Sequence, residues 1–127
     1  MKLLGLDYGE SKVGLALADT EAGVALPFKI LKRLKPAELL AELKKICVSE
    51  SIEKIVIGLP INLRAKSSGQ TKVVEDFIVL LKEKIKLPVE TQDERYTTQA
   101  AQKLSPGSGD DDAIAAMLIL QSYLDRN

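Results

Sequence analysis

The sequence predicts an α/β fold: a five-stranded mixed sheet, three antiparallel strands followed by parallel βαβ units, flanked by helices. Three observations predict it. Residues 2–7, 12–18 and 24–31 are short apolar runs broken by turns, the pattern of an antiparallel meander. From Pro36 onwards, runs with the helical period alternate with short continuous apolar runs, and such alternation builds a parallel section of sheet through right-handed crossovers. The length of 127 residues, 46% hydrophobic and 28% charged, suits one domain over residues 1–127 with a core of Leu, Ile, Val and Ala.

Each element has its own reason. Residues 2–7 are almost wholly apolar, as in the centre of a sheet, and Asp7 to Ser11 forms a turn. Residues 12–18 form a second strand. Residues 24–31 form a third, which Pro27 confines to an edge because proline donates no ladder hydrogen bond. Pro36 suits the first position of a helix, and Leu39, Leu40, Leu43, Ile46 and Cys47 make its apolar stripe. Residues 54–59 read as a buried strand and residues 61–69 as a polar, basic loop. Ser67 and Gln70 can form a capping box for the next helix, whose core face is Val74, Phe77, Ile78, Leu81 and Ile85. Pro88 to Asp93 is a strand, Thr97 to Leu104 a short helix, Ser105 to Gly109 a loop, and Asp112 to about Leu124 the last helix. Three antiparallel strands feeding a βαβ section describe a ribonuclease H-like architecture.

Composition narrows the chemistry. The chain contains no histidine, which excludes Ser-His-Asp and Cys-His catalysis and His-ligated zinc within it. Its single cysteine, Cys47, allows no internal disulfide and no thiolate cluster. No run approaches the roughly 20 apolar residues of a membrane span. Asp7 and Glu10 interrupt any signal-peptide profile, so a cytoplasmic, membrane-free protein is expected. Acid–base and metal chemistry must then run on carboxylates. The net charge of zero combines a mildly basic body (+3 over residues 1–104) with an acidic tail (−3 over residues 105–127). Contact with nucleic acid must be local.

Three sets of acids stand at element ends. Asp7 closes the first strand on the face it shares with Leu3 and Gly5, where Gly5 is expected to leave open space and Gly9 to permit a sharp turn. Asp93 and Glu94 end the strand that starts at Pro88, and spacing alone does not choose between them. Asp110, Asp111 and Asp112 open the final helix. Of these, Asp112 lies in line with Ala115, Ala116, Ile119, Leu120 and Tyr123, the stripe expected to face the sheet. Each acid alone also reads as a turn or helix cap. Together they form an oxygen-only donor set whose mutual repulsion calls for cations. Mg²⁺ or Mn²⁺ suits it, in a two-metal arrangement for in-line phosphodiester hydrolysis with the ions about 4 Å apart.

These residues resemble the YqgF (RuvX-like) family. The resemblance rests on Gly5, Asp7, Gly9, Gly14, Ala16 and Asp19; on Ile57-Gly58-Leu59-Pro60; on Pro88-Val89 with Asp93-Glu94-Arg95-Tyr96-Thr97-Thr98; and on Asp112, Ala115, Ala116, Ile119, Leu120 and Tyr123. It covers essentially the whole chain, and the Asp-Glu-Arg-x-Thr-Thr block is its most specific part. The resemblance implies a ribonuclease H-like nuclease with Asp7, Glu94 and Asp112 as catalytic, metal-binding acids, and it favours Glu94 over Asp93. It implies processing of the 5′ end of pre-16S ribosomal RNA in pre-ribosomal particles, with resolution of branched DNA such as a Holliday junction as the alternative. A non-catalytic RNA-binding assembly factor on the same fold is a further alternative.

The chain departs from the family pattern in two loops. Members often carry a basic residue on a longer loop before the last acid, whereas here Asp110 and Asp111 follow the short stretch Ser105 to Gly109. The stretch Ile61 to Gly69 is longer than usual and carries Arg64 and Lys66, which are expected to supply cationic contacts instead. The resemblance implies that Arg95 holds the loop or contacts a phosphate, and Thr97, which also reads as a cap for the following helix, is the further expected substrate contact. Tyr8 either stacks on a base or packs. Lys29, Lys32, Arg33 and Lys35 form a second basic cluster that reads first as solvated surface. The Gly5-Asp7-Gly9 hairpin also occurs in sugar-kinase and actin-like phosphotransferases, but those need two lobes to enclose a nucleotide.

Overall fold

The computed structural model describes residues 1–9, 11–32, 35–59, 69–93 and 111–126. The elements are β1 (Lys2–Tyr8), β2 (Lys12–Asp19), β3 (Val24–Lys32), α1 (Pro36–Ser49), β4 (Lys54–Leu59), α2 (Gly69–Lys84), β5 (Val89–Asp93) and α3 (Asp111–Arg126). The five strands form one sheet in the order β3-β2-β1-β4-β5. β1 pairs antiparallel with β2, and β2 with β3; β1 runs parallel to β4, and β4 to β5. The expected architecture is observed, and Pro27 does lie on the edge strand.

Helices cover both faces. On one, α1 and α2 bring Leu39, Leu43, Val74, Phe77 and Leu81 onto Leu4, Leu6, Val13 and Leu15. On the other, α3 brings Ala116, Ile119, Leu120 and Tyr123 onto Leu3, Ala16, Ala18 and Val56. Burying a leucine side chain contributes about 1.5–3 kcal/mol, so these stripes dominate the stability. The two faces follow the two-residue strand period, which places Leu3, Gly5 and Asp7 towards α3 and Leu4, Leu6 and Tyr8 towards α1 and α2.

The ends of α1 are defined by backbone chemistry. Pro36 stands in the first turn, where its missing N–H costs nothing. At the other end Ser51 adopts a left-handed φ of 56°. That conformation lets the Ser51 N–H donate to the Val48 carbonyl at 3.3 Å and the Ile52 N–H to the Cys47 carbonyl at 2.9 Å. This is a Schellman closure with a serine where glycine is usual.

Two expectations change. Gly69, read as the end of a loop, starts α2. The last helix is longer than expected, reaching Arg126. The proposed capping residue Ser67, the short helix at 97–104 and the loop at 105–109 lie outside the described residues. Among the described residues no helix is long and apolar enough to cross a membrane.

Candidate active site

β1, β4 and β5 run parallel, so their C-terminal ends share one edge of the sheet. Leu6 pairs with Ile57, and the same register continued places Gly58 beside Asp7. Gly58 pairs in turn with Gln92, and Leu59 with Asp93. On the other side Asp7 pairs with Gly14, and Gly14 with Ile30. One row thus crosses the sheet from Gln92 through Gly58, Asp7 and Gly14 to Ile30. Asp7 is partly buried in that row, on the α3 side.

Gly5 explains how closely α3 approaches. A Cβ on Gly5 would stand 3.0 Å from the Leu120 Cβ and 3.1 Å from the Ala116 carbonyl oxygen. The space beside Gly5, expected to be open, is therefore filled by the helix. Gly9 is required by the turn after Tyr8: its N–H donates to the Lys12 carbonyl at 2.9 Å, and a Cβ would stand 2.8 Å from that oxygen.

α3 runs antiparallel to β1. Its far end is fixed over the starts of β4 and β5, where Lys54 Nζ donates to the Tyr123 hydroxyl at 3.0 Å and lies 3.3 Å from Glu90 Oε2, and Tyr123 donates its own proton to Glu90. The Tyr123 hydrogen bond, then Lys54, holds the Glu90 carboxyl below its usual range; Tyr123, then Glu90, holds the Lys54 ammonium above its own. Gln121 fixes the helix laterally, accepting from the Ala25 N–H at 2.9 Å and donating to the Gly23 carbonyl at 3.0 Å. The first turn of α3 therefore comes to the Asp7 edge, where Ala113 and Ile114 border a cavity with Ile30. Neither clamp follows from sequence pattern. Its only trace there is polar Gln121 and Tyr123 on or beside an apolar stripe.

The other candidates divide as follows. Asp112 belongs to α3, one turn before Ala116, but its side chain is not among those described. Glu94, Arg95, Thr97, Arg64 and Lys66 lie outside the described residues, as does Arg33. Among the described residues, no three His, Cys, Asp or Glu side chains gather as a metal site. Tyr8 does not stand where a base could stack on it: the residue is only 5% exposed and its ring stacks on Phe77, with centroids 4.4 Å apart and planes 9° apart. It points to the core, away from Asp7, and serves packing rather than base stacking. Burial pushes the Cys47 thiol up, which makes it a poor nucleophile. Lys29, Lys32 and Lys35 are exposed, as the solvated reading expected.

A model of the family described as "RuvX: Holliday junction resolvase" matches residues 1–126. The chain belongs to the RuvX family. Relatives agree: a protein of Chloroflexus aggregans named "Putative pre-16S rRNA nuclease" is 32% identical, over 97% of this chain and 92% of its own. One of the same name from Rickettsia africae is 34% identical, over 97% and 85%. Among solved structures, Thermus thermophilus RuvC in complex with a Holliday junction substrate superposes with a TM-score of 0.67 at 13% identity, covering 99% of this chain and 95% of that one. At that identity the likeness speaks for the ribonuclease H-like fold alone. RuvX membership and the nuclease relatives make the chain a nuclease.

Proposed function

We propose that this chain is a cytoplasmic, divalent-metal-dependent endonuclease that hydrolyses phosphodiester bonds in structured RNA. Its substrate in this reading is the 5′ end of pre-16S ribosomal RNA, met in pre-ribosomal particles, and residues 1–127 act as one nuclease domain. The observation that supports it best is the convergence of three element ends at one sheet edge. β1 ends just past Asp7, β5 ends at Asp93 immediately before Glu94, and α3 begins at Asp111 immediately before Asp112.

The donor set fits Mg²⁺ or Mn²⁺. Asp7, Glu94 and Asp112 offer only hard carboxylate oxygens. Gln92 adds an observation of the same kind. Its Oε1 is buried with no hydrogen-bond partner among the described residues, in the Asp7 row, and the two-residue period puts it on the α3 side with Glu90. A buried acceptor left unpaired costs about 1–3 kcal/mol, which a cation or its hydration shell would relieve. When bound, such ions supply activation of the attacking water and stabilisation of charge on the phosphate.

The chain does the rest. Asp7 holds its carboxylate on a strand that is hydrogen-bonded on both sides, so the donor is fixed before substrate arrives. Arg95 contacts a phosphate oxygen, Thr97 donates its hydroxyl beside it, and Arg64 with Lys66 engages the flanking phosphates. A water oxygen would join phosphorus and release one proton to solvent as the bond to the opposite ester oxygen breaks, and that oxygen would take up a proton from solvent and leave as a hydroxyl. The test is incubation of a folded precursor RNA and of a four-way DNA junction with the protein and Mn²⁺. Cleavage of the RNA, stopped by a chelator, is expected. A second reading, branched-DNA resolution, is favoured by the description of the matching family, and preferential cutting of the junction would select it. Binding without any cleavage would leave a non-catalytic assembly factor.

A further inference from the structure

We propose that the edge formed by β2, β3 and the first turn of α3 is the track that seats an unpaired RNA strand entering the site. Phe28 stacks on a base, and Lys12, Lys29 and Lys32 hold its phosphates. This rests on the nuclease reading above and adds to it the form of RNA that the site accepts.

The track is continuous with the site. Ile30 lies in the Asp7 row, two strands away, which is about 10 Å at the usual strand spacing. Between them Gly14 carries no side chain. Beside Ile30 a cavity of about 440 Å³ opens between β3 and α3, bordered by Pro27, Phe28, Lys29, Ala113 and Ile114.

Phe28 is placed there by a fault in the ladder. Leu15 pairs with Lys29 but Ala16 pairs with Pro27, so Phe28 is the extra residue of a β-bulge. Bulges re-aim a side chain. Here the result is a phenylalanine 36% exposed on an edge strand, with Lys29 Nζ 5.6 Å from the ring centroid. An exposed ring beside a cation is what single-strand binders offer to a base and its phosphate.

The lysines carry the charge argument. Lys12 and Lys32 are direct cross-strand partners, and by the strand period they share the α3 side with Gly14, Ile30 and Asp7. Like charges placed opposite one another destabilise a sheet. Among the described residues neither they nor Lys29 has a carboxylate partner. A polyanion relieves that repulsion. At the other ends of β2 and β3, on the α1 side, a cavity is bordered by Asp19 and Glu50 as well as Lys2, which does not suit phosphate. The strand must be unpaired, because only an unstacked base presents its face to a side chain.

The test is binding of a labelled single-stranded RNA of about 12 nucleotides, and of the duplex of the same length, measured by fluorescence anisotropy across a salt series. Phe28→Ala is expected to weaken single-strand binding about tenfold and to leave the duplex unchanged, while Phe28→Tyr binds as wild type. The double variant Lys12→Gln, Lys32→Gln is expected to flatten the salt dependence by about 1.4 in log–log slope. Wild-type single-strand affinity in Phe28→Ala, or an unchanged slope in the lysine variant, would overturn the track. Cleavage by Asp7→Asn is read separately. Full activity there would sink the nuclease site while leaving the binding results to stand or fall alone.

Discussion

Gly5 and Leu120 are in direct apposition: the helix that carries Asp112 is seated on the strand that carries Asp7 at the one position without a side chain. Any Cβ at residue 5 meets the Leu120 Cβ at 3.0 Å and backbone at Ala116. Neither neighbour is the far end of a flexible chain, so the helix itself would have to shift. Gly5→Ala should cost about 1–3 kcal/mol by overpacking. It should also lower cleavage by more than the unfolded fraction accounts for, because α3 moves relative to Asp7. Denaturant melts together with rates at saturating metal check this; wild-type rates in a destabilised variant would separate the two.

Ser51 holds a left-handed backbone that its Cβ resists. Ser51→Gly should stabilise the protein by about 0.5–1 kcal/mol, after allowance for the entropy glycine loses on folding. Thermal unfolding should rise by about 2–4 °C. Cleavage should not change, since this turn stands at the far end of α1. A lower melting temperature would mean that the Ser51 side chain has a stabilising role of its own.

The Lys54, Tyr123 and Glu90 cluster predicts a pH profile. Glu90 titrates below its usual range in the folded state, so its contribution is present above about pH 4.3 and is lost as pH falls through the lowered value. Lys54 titrates above its usual range, so its contribution is complete below about pH 10.4 and is lost as pH rises through the raised value. Stability should be flat between those limits as far as this cluster is concerned. Tyr123→Phe removes the leading cause of both shifts and should cost about 1–2 kcal/mol at pH 7. It should also reduce the acid-side loss, measured by urea unfolding at pH 7 and pH 3.5. Identical profiles in the variant would exclude the cluster as the source.

Much of the fold was legible because it is written in short-range pattern. The apolar runs of β1 and β4, the edge proline in β3 and the stripe of α1 each depend on neighbours in sequence. The strand period also holds the correct answer for Tyr8: two residues of opposite parity cannot both face the site, and with Asp7 towards α3, Tyr8 turns to Phe77. What was not legible depends on how distant pieces meet. Gly5 announces a close approach but not the helix that makes it. Lys54, Glu90 and Tyr123 become partners only once α3 runs antiparallel to β1. The bulge that exposes Phe28 is a mismatch between two strands, invisible in either alone. For the site, Asp7 and the start of α3 follow from pattern, whereas the preference for Glu94 over Asp93 came from family resemblance.

Metal should stabilise the folded protein through the acids it neutralises. Saturating Mn²⁺ at about 100 times its dissociation constant adds about 2.7 kcal/mol. The melting temperature of the wild type should rise by several degrees, and that of Asp7→Asn by less. Equal rises would place the metal elsewhere.

The most direct measurement is cleavage of a folded precursor RNA in Mn²⁺ by wild type and by Asp7→Asn, with binding of the same RNA followed in parallel. The variant should lose cleavage by a factor of about 10³ or more while binding RNA with wild-type affinity, because the carboxylate is removed from a strand that is otherwise intact. Cleavage by Asp7→Asn at the wild-type rate would contradict this.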